Sequence, residues 1–154
     1  MNVSQQTAKH FREVFFGGNW TTSNLKDLLD DVTWTEALHQ IDSLNNIVTL
    51  TYHMSYYVFA IRKVLEGKPL EAKDAYSFDH PEINKPEDWN KMRNEIWDEA
   101  EKCADLIEQL PEEKMWQDFA DPKYGIYFRN LIGLIEHTHY HLGQIAIIKK
   151  MIRS

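Results

Sequence analysis

The sequence predicts an all-α protein: a four-helix bundle with a long crossover loop between its second and third long helices. Apolar residues recur every three to four positions in four long segments, which is the period of an amphipathic helix. No block of comparable length alternates apolar and polar residues with the period of two that a sheet requires. At 154 residues the chain suits one hydrophobic core rather than two, so we expect a single domain over residues 1–154.

The first long segment predicts a helix over residues 4–16, which stops at Gly17-Gly18. A short amphipathic segment follows from Leu25. We expect Thr22 or Ser23 to cap its N-terminus, because hydroxyl side chains satisfy the unpaired N–H groups of a first helical turn.

The second long helix is predicted to begin at a capping box. Residues Thr33 to Glu36 have the Ser/Thr-x-x-Glu form, in which each of the two side chains bonds the other residue's backbone N–H. The helical pattern bends or restarts near Asp42-Ser43 and continues to Gly67. The next stretch, 68–86, has three prolines and little periodicity, which predicts a long crossover loop. Loops of this length often form part of a site or an interface.

The third and fourth long helices are bounded by prolines and glycine. The third is predicted over residues 87–109, where apolar residues form one stripe between charged faces, and Pro111 closes it. The fourth is predicted over residues 126–152, after Asp121-Pro122 and Gly125. A long crossover suits a bundle in which consecutive helices need not be antiparallel neighbours.

Composition and charge exclude several classes of protein. The chain is 43% hydrophobic and 27% charged, as in a soluble globular protein, and it has no apolar run of the roughly 18 residues that a membrane span needs. A net charge of -7 argues against binding to nucleic acid. The first residues lack the pattern of a secretory signal, and the lone Cys103 permits no internal disulfide. We therefore expect a cytoplasmic location.

Three histidines lie close together in the fourth helix, in the stretch IEHTHYHLGQIAI. At 100° per residue, His137 and His141 fall on the core side with Leu134 and Ile145, whereas His139 points roughly 200° away. Side chains four positions apart are neighbours that can share one ion. A divalent metal would satisfy two adjacent buried imidazoles by taking one nitrogen from each. The alternative is a pair of core histidines bonded to backbone, tyrosine or water.

His53 supplies a third nitrogen from the largely inward face of the second long helix. With His137 and His141 it gives three nitrogens on two facing helices and leaves coordination positions open for water or substrate. Such a set suits Zn, Ni, Co, Mn or Fe. The H-E-x-x-H signature of zinc proteases is absent, because Thr138 follows His137. Of the remaining histidines, we expect His10 and His39 to be exposed. His80 lies in the crossover loop, from which it could approach a pocket.

Other side chains near the three histidines are pocket candidates. Tyr56, Tyr57 and Tyr140 either line the pocket or belong to the helical core. Gln144 either orients a water or a ligand imidazole or forms a hydrogen bond between helices. Cys103 lies in the core stripe of the third helix, and buried apolar thiols are inert, so we expect a structural role for it. Periodicity places no carboxylate in the site.

Two stretches carry a family resemblance. The sequence H-T-H-Y-H-L-G-Q-I, from His137 to Ile145, resembles the last-helix motif of the DinB-like superfamily, in which a His-x-x-x-His pair is followed closely by Gly-Gln-Ile. The stretch N-N-I-V-T-L-T-Y-H-M, from Asn45 to Met54, is similar to the second-helix segment in which that family has its remaining histidine. The resemblance covers nearly the full length, including G-N-W-T after the first helix and S-F-D in the crossover loop.

The resemblance implies a four-helix bundle, often dimeric, with a divalent metal held by His53, His137 and His141. Characterised relatives include thiol S-transferases and isomerases that use low-molecular-weight bacterial thiols. By resemblance we expect a homodimeric metal-dependent enzyme, such as a thiol S-transferase acting on small electrophiles. The alternatives are a metal-dependent hydrolase and a non-catalytic small-molecule-binding or structural metalloprotein. Neither nucleic acid nor a membrane is an expected partner.

Overall fold

The computed structural model describes residues 1–154 and is all-helical, which confirms the all-α part of the prediction. Four long helices are joined by two short ones, which precede α4, and by three 3-10 helices. The α-helices are α1 (Val3–Phe16), α2 (Leu25–Asp30), α3 (Trp34–Leu38), α4 (Ile47–Leu65), α5 (Pro86–Gln109) and α6 (Tyr127–Ile152). The 3-10 helices are Asp74–Tyr76, Glu112–Trp116 and Pro122–Tyr124.

The cap of α2 differs from the prediction. Asn24, rather than Thr22 or Ser23, holds the first turn, because the backbone N–H of Asp27 donates to its Oδ1 at 2.9 Å. Thr22 has a positive φ of 57°, which is not the extended conformation of an N-cap. The expected hydroxyl caps are therefore wrong, and an asparagine side chain takes the same role.

The helix predicted over residues 33–67 is divided into two helices. Thr33 forms the predicted capping box with Glu36, but α3 ends after only 5 residues. Asn46 then caps α4, by accepting a hydrogen bond from the third backbone N–H of the new helix. Of the two alternatives, a bend and a restart, the structure has a restart, and it lies at Asn46 rather than at Asp42-Ser43.

The four long helices form a closed ring around one hydrophobic core, with α1 and α4 each in contact with both α5 and α6. Every long helix contributes a fully buried large side chain, such as Phe11, Met54, Trp89 and Leu131. Cys103 belongs to this core as predicted, and burial raises the pKa of its thiol to about 12. None of the helices combines the length and the hydrophobicity required to cross a bilayer.

The crossover loop, residues 66–85, makes α4 and α5 parallel neighbours. Tyr52 and Met92, near the start of the two helices, line one groove, and Arg62 bonds Glu99 further along. The chain therefore travels the length of the bundle between these helices without forming a helix of its own, except for the short 3-10 turn. This path lays the loop alongside α4.

α6 runs antiparallel to α4. Val64, at the end of α4, shares a small buried cluster with Tyr127 at the start of α6, and His53 lies against His141 further along. The middle of α4 therefore faces the middle of α6. This geometry brings the histidines of the two helices together.

Candidate metal centre

Three histidine side chains meet between α4 and α6. The Nε2 atom of His137 lies 3.0 Å from Nε2 of His53 and 3.1 Å from Nε2 of His141. One potential ligand atom from each ring lies within 4.8 Å of those from the others. His137 and His141 are one turn apart on α6, and His53 faces them from α4, as helical rotation predicts.

Hydrogen bonds on the far sides of two rings determine which nitrogen carries the proton. The Ser77 hydroxyl donates to the Asp74 carbonyl oxygen at 2.7 Å, so its oxygen accepts the Nδ1–H of His53 at 2.8 Å. The Oε1 atom of Gln144 accepts the Nδ1–H of His141 at 2.7 Å, which is the imidazole-orienting role considered for this residue. A neutral imidazole has one N–H, so Nε2 of His53 and Nε2 of His141 both carry lone pairs.

These two lone pairs converge on His137. Its Nε2 donates at most one proton, although it contacts both His53 and His141. Its own Nδ1 is buried without a hydrogen-bond partner. A divalent cation would relieve the repulsion between the nitrogen lone pairs by binding all three nitrogens. Nitrogens about 2.0 to 2.1 Å from one zinc ion lie roughly 3 to 3.5 Å from each other, which is close to the spacing found here. The donor set therefore fits a metal ion.

Burial keeps the three imidazoles neutral. The pKa of His137 is lowered to about 4, chiefly by desolvation and in smaller part by the neighbouring His141 and His53, while the negative charge of Asp74 opposes the shift. Burial is also the largest cause that lowers the pKa of His53 and that of His141. Neutral imidazole is the form that binds metal, so the site is in its ligating state near neutral pH.

Aromatic rings hold the imidazoles in place. The Phe78 ring stacks on His53, with centroids 4.2 Å apart and planes 15° apart. Tyr57 meets His53 and His137 edge-on, with centroids 5.2 and 5.1 Å away. The Tyr57 hydroxyl donates to Oδ1 of Asp74 at 2.6 Å, and burial is the first cause that raises its pKa to about 12. The hydroxyl therefore stays protonated and keeps Asp74 beside the site.

A cavity of about 510 Å³ opens beside the histidines and is lined in part by His137. Its wall has three charged side chains, Asp74, Arg129 and Glu136, and none of them forms an ion pair within the chain. Gly133 lies between Arg129 and His137 on α6, and a Cβ atom added there would meet nothing within 4 Å. The missing side chain leaves the wall open along the helix.

The three predicted pocket tyrosines have different positions. Tyr57 lines the cavity. Tyr56 lies outside it, and its hydroxyl accepts from the backbone N–H of Lys73 at 2.8 Å and donates to the carbonyl oxygen of the same residue at 3.1 Å. Tyr140 is 64% exposed, and its ring meets His141 edge-on at 4.9 Å. Only one of the three tyrosines therefore faces the open side of the histidine cluster.

The remaining histidines lie away from the cluster. His139 is half-buried, and its ring centroid is 6.3 Å from that of His10 on α1. His10 and His39 are exposed, as predicted. The Nδ1 atom of His80 contacts the carbonyl oxygen of Pro81, and His80 does not line the cavity. The tight group of histidines in the sequence therefore separates into two ligand candidates and one neighbour of α1.

Several residues of the site were not predicted from the sequence. Asp74, Ser77 and Phe78 all come from the crossover loop, where no periodicity indicates which side chains point inward. For Ser77 and Phe78, the only indication in the sequence was the S-F-D stretch of the family resemblance. Glu136 and Arg129 lie on α6 and line the cavity because Gly133 leaves room beside them. Periodicity placed no carboxylate in the site, and the two carboxylates of the cavity wall, Asp74 and Glu136, are found only in the structure.

Comparison with known proteins finds no matching family model, no matching curated protein and no matching solved structure. A functional assignment therefore rests on the chemistry of the site. That chemistry is a set of three neutral nitrogen donors, two of them oriented by hydrogen bonds, at the edge of an open cavity.

Proposed function

We propose that this chain binds one divalent metal ion through His53, His137 and His141 and is a metal-dependent enzyme that transfers a small thiol to an electrophile. The observation that supports metal binding is the convergence of three Nε2 atoms, two of which carry lone pairs. Zn, Ni, Co, Mn and Fe all suit three imidazoles. We also propose that the four long helices and the crossover loop form a DinB-like bundle.

The chain offers no cysteine thiol at the site. Cys103 is fully buried in the core, and the raised pKa of its thiol keeps it protonated. Three imidazoles add no negative charge, so a bound divalent ion would keep its full charge and lower the pKa of a bound thiol or water. The proposed nucleophile therefore enters through the cavity, as a small thiol or as water.

The cavity wall has groups that can bind such a substrate and take its proton. The guanidinium of Arg129 suits a carboxylate on the thiol or on the electrophile, because planar guanidinium groups bind carboxylates with two parallel hydrogen bonds. Asp74 and Glu136 are the carboxylates on the wall, and either can accept the S–H proton as the sulfur forms its bond to the electrophilic carbon. The electron pair of the bond that breaks at this carbon goes to the leaving group, and the protonated carboxyl group can return its proton to that group. Tyr57 and Phe78 cover one side of the imidazoles and exclude water there.

Elemental analysis of the purified protein tests the metal site. We expect about one divalent ion per chain, its loss in His53→Ala, His137→Ala and His141→Ala, and its retention in His139→Ala, a histidine of the same helix outside the cluster. Stoichiometric metal in all three ligand variants would contradict the proposed site.

Parallel assays test the reaction. Thiol conjugation and ester or amide hydrolysis are measured with and without added metal, on the same preparation. Turnover that requires both the metal and the thiol supports the transferase. Turnover at a rate that does not depend on added thiol favours the hydrolase instead. If metal changes the melting temperature but no substrate is converted, the non-catalytic metalloprotein is favoured.

A further inference from the structure

A groove runs between α4 and α5, on a different face of α4 from the histidine cluster. Two adjoining cavities of about 400 and 180 Å³ form it, and Tyr52, Ser55 and Glu95 line both of them. Tyr56 and Phe59 continue the α4 wall. Because the four α4 residues are three or four positions apart, they form one stripe along the helix. This cleft, here called the α4–α5 groove, shares no lining residue with the cavity beside the histidines.

The α4 wall of the groove is aromatic. The ring centroids of Tyr52 and Tyr56 lie 6.5 Å apart, and both side chains are half-buried. Phe59 is 45% exposed, and the cationic groups of Arg62 and Lys63 already lie over its ring. Aromatic faces attract ammonium groups and also pack against methylene chains. This wall therefore suits a ligand that combines positive charge with aliphatic segments.

The α5 wall of the groove has carboxylates along its length. Asp88, Glu95 and Asp98 line it over about 15 Å of the helix. Asp98 has no hydrogen bond and no ion pair within the chain, and Glu95 contacts only Lys91, at 3.8 Å between two exposed side chains. Such a pair contributes at most about 1 kcal/mol and opens readily. Five carboxylates and two lysines line the whole groove, so its charge favours a cation.

The spacing of the carboxylates favours an elongated cation over a metal ion. Asp88 and Glu95 are seven positions apart, which is about 10 Å along the helix axis. The histidine cluster is the one group of three potential ligands whose atoms lie close enough to share an ion. The opposite wall of the groove offers rings instead of further ligand oxygens. Several positive charges along one chain therefore match the groove better than a single ion does.

We propose that the α4–α5 groove binds a linear aliphatic polyamine, a flexible chain whose ammonium groups are separated by methylene segments. Its ammonium groups pair with Glu95, Asp98 and Asp88, and its methylene segments lie on the rings of Tyr52 and Tyr56. Binding is non-covalent and uses none of the three histidines. This is a second ligand site, on the other side of α4 from the proposed substrate cavity.

Titration calorimetry with spermidine, a linear triamine, tests the proposal at low ionic strength, where exposed ion pairs are least screened. We expect saturable binding of about one molecule per chain. Glu95→Gln and Asp98→Asn are each expected to raise the Kd about threefold, because an exposed ion pair contributes up to about 1 kcal/mol. Glu113→Gln, the same change at an exposed position outside the groove, leaves the Kd unchanged. A wild type without saturable binding, or three variants with equal Kd values, overturns the proposal.

Two substitutions of one residue test the aromatic wall. Tyr52→Leu keeps an apolar side chain but removes the ring, and it is expected to raise the Kd for spermidine about threefold. Tyr52→Phe keeps the ring face and is expected to retain the wild-type Kd. The melting temperature of each variant shows whether it is folded. Equal Kd values in the two variants would contradict the predicted contact with the ring.

Competition experiments identify the class of ligand. Mg²⁺ at the same concentration of charge is expected to displace little spermidine, because it has no aliphatic surface to lie on the rings. Trilysine has the same net charge as spermidine on a bulkier peptide backbone, so it is expected to bind at least about fivefold more weakly. Equal displacement by Mg²⁺ would indicate a general counter-ion effect, and an equal Kd for trilysine would indicate a basic peptide. Either result overturns the polyamine assignment.

The groove and the metal centre fail separately in these experiments. His141→Ala removes a proposed metal ligand on a helix that does not line the groove, so its Kd for spermidine is expected to match that of the wild type. Glu95→Gln, in turn, is expected to keep the metal content of the wild type. Loss of spermidine binding in His141→Ala would place the polyamine at the metal centre and contradict the groove proposal.

Discussion

Ser77 and Gln144 orient two of the three clustered imidazoles, and each does so by accepting an Nδ1–H. Hydrogen-bond partners of this kind set the tautomer and increase the basicity of a ligand histidine. Ser77→Ala removes the acceptor for His53, so we expect metal affinity to fall about 10- to 100-fold in a chelator competition assay. Ser55→Ala, on α4 like His53 but outside the cluster, is the control. Equal affinities in the two variants would show that the Ser77 contact has no effect on the metal.

The lowered pKa of His137 makes the stability of the metal-free protein depend on pH. Its pKa is about 4 in the folded chain, against a reference value of about 6.5. Between these pH values the unfolded chain binds a proton that the folded chain does not bind. The contribution of His137 to the free energy of unfolding is therefore expected to fall as the pH decreases from about 6.5 to about 4, and to change no further below that range.

Urea unfolding in the presence of a chelator measures this dependence. His137→Gln removes this half-buried titrating group, so the decrease over the same pH range is expected to be smaller. His39→Gln, a change at an exposed histidine, is expected to retain the full decrease. An unchanged pH dependence in His137→Gln would assign the effect to other groups.

The crossover loop is attached to α4 by tyrosine hydroxyls. Tyr56 forms two hydrogen bonds with the backbone of Lys73, close to the residues that contact the histidines. Tyr56→Phe removes both bonds, at about 0.5 to 1.5 kcal/mol each. We expect faster amide hydrogen exchange over residues 73–78 and weaker metal binding. Tyr52→Phe, which deletes a hydroxyl without a hydrogen bond, should leave both measurements unchanged.

The boundaries of the long helices could be predicted from the sequence because local chemistry sets them. Gly17 has a positive φ of 107° and ends α1, and α5 begins at Pro86, one residue before the predicted start. The break before α4 could not be decided, because Asn46 fits a helical pattern as well as a cap. The contacts of Ser77 and Phe78 depend on how the loop lies on α4, which no local pattern encodes.

At the scale of the whole molecule, the histidine cluster joins two helices that are far apart in the sequence. Rotation about each helix axis predicted which histidines face inward, because α4 and α6 are regular along their lengths. The parallel course of α4 and α5 and the cavity at Gly133 depend on packing between helices, so they could not be predicted. The inward-facing histidines were therefore predictable, but the space beside them was not.

A metal ion that links α4 to α6 should stabilise the whole chain. Metal at about one hundred times its dissociation constant is expected to raise the free energy of unfolding by about 2.7 kcal/mol, because only the folded chain presents all three nitrogens. Thermal unfolding with metal and with chelator measures the difference. His141→Ala should abolish it, and His139→Ala should retain it. An equal gain in both variants would place the stabilising metal elsewhere.

The gap at Gly133 makes the depth of the cavity adjustable by one side chain. An alanine there meets no neighbour and is favoured over glycine in a helix by about 1 kcal/mol, so a larger residue can be introduced without weakening α6. A graded series from alanine through leucine to phenylalanine would then shorten the space between Arg129 and His137 in steps. The longest substrate that each variant accepts would then measure how far from the metal the natural substrate extends.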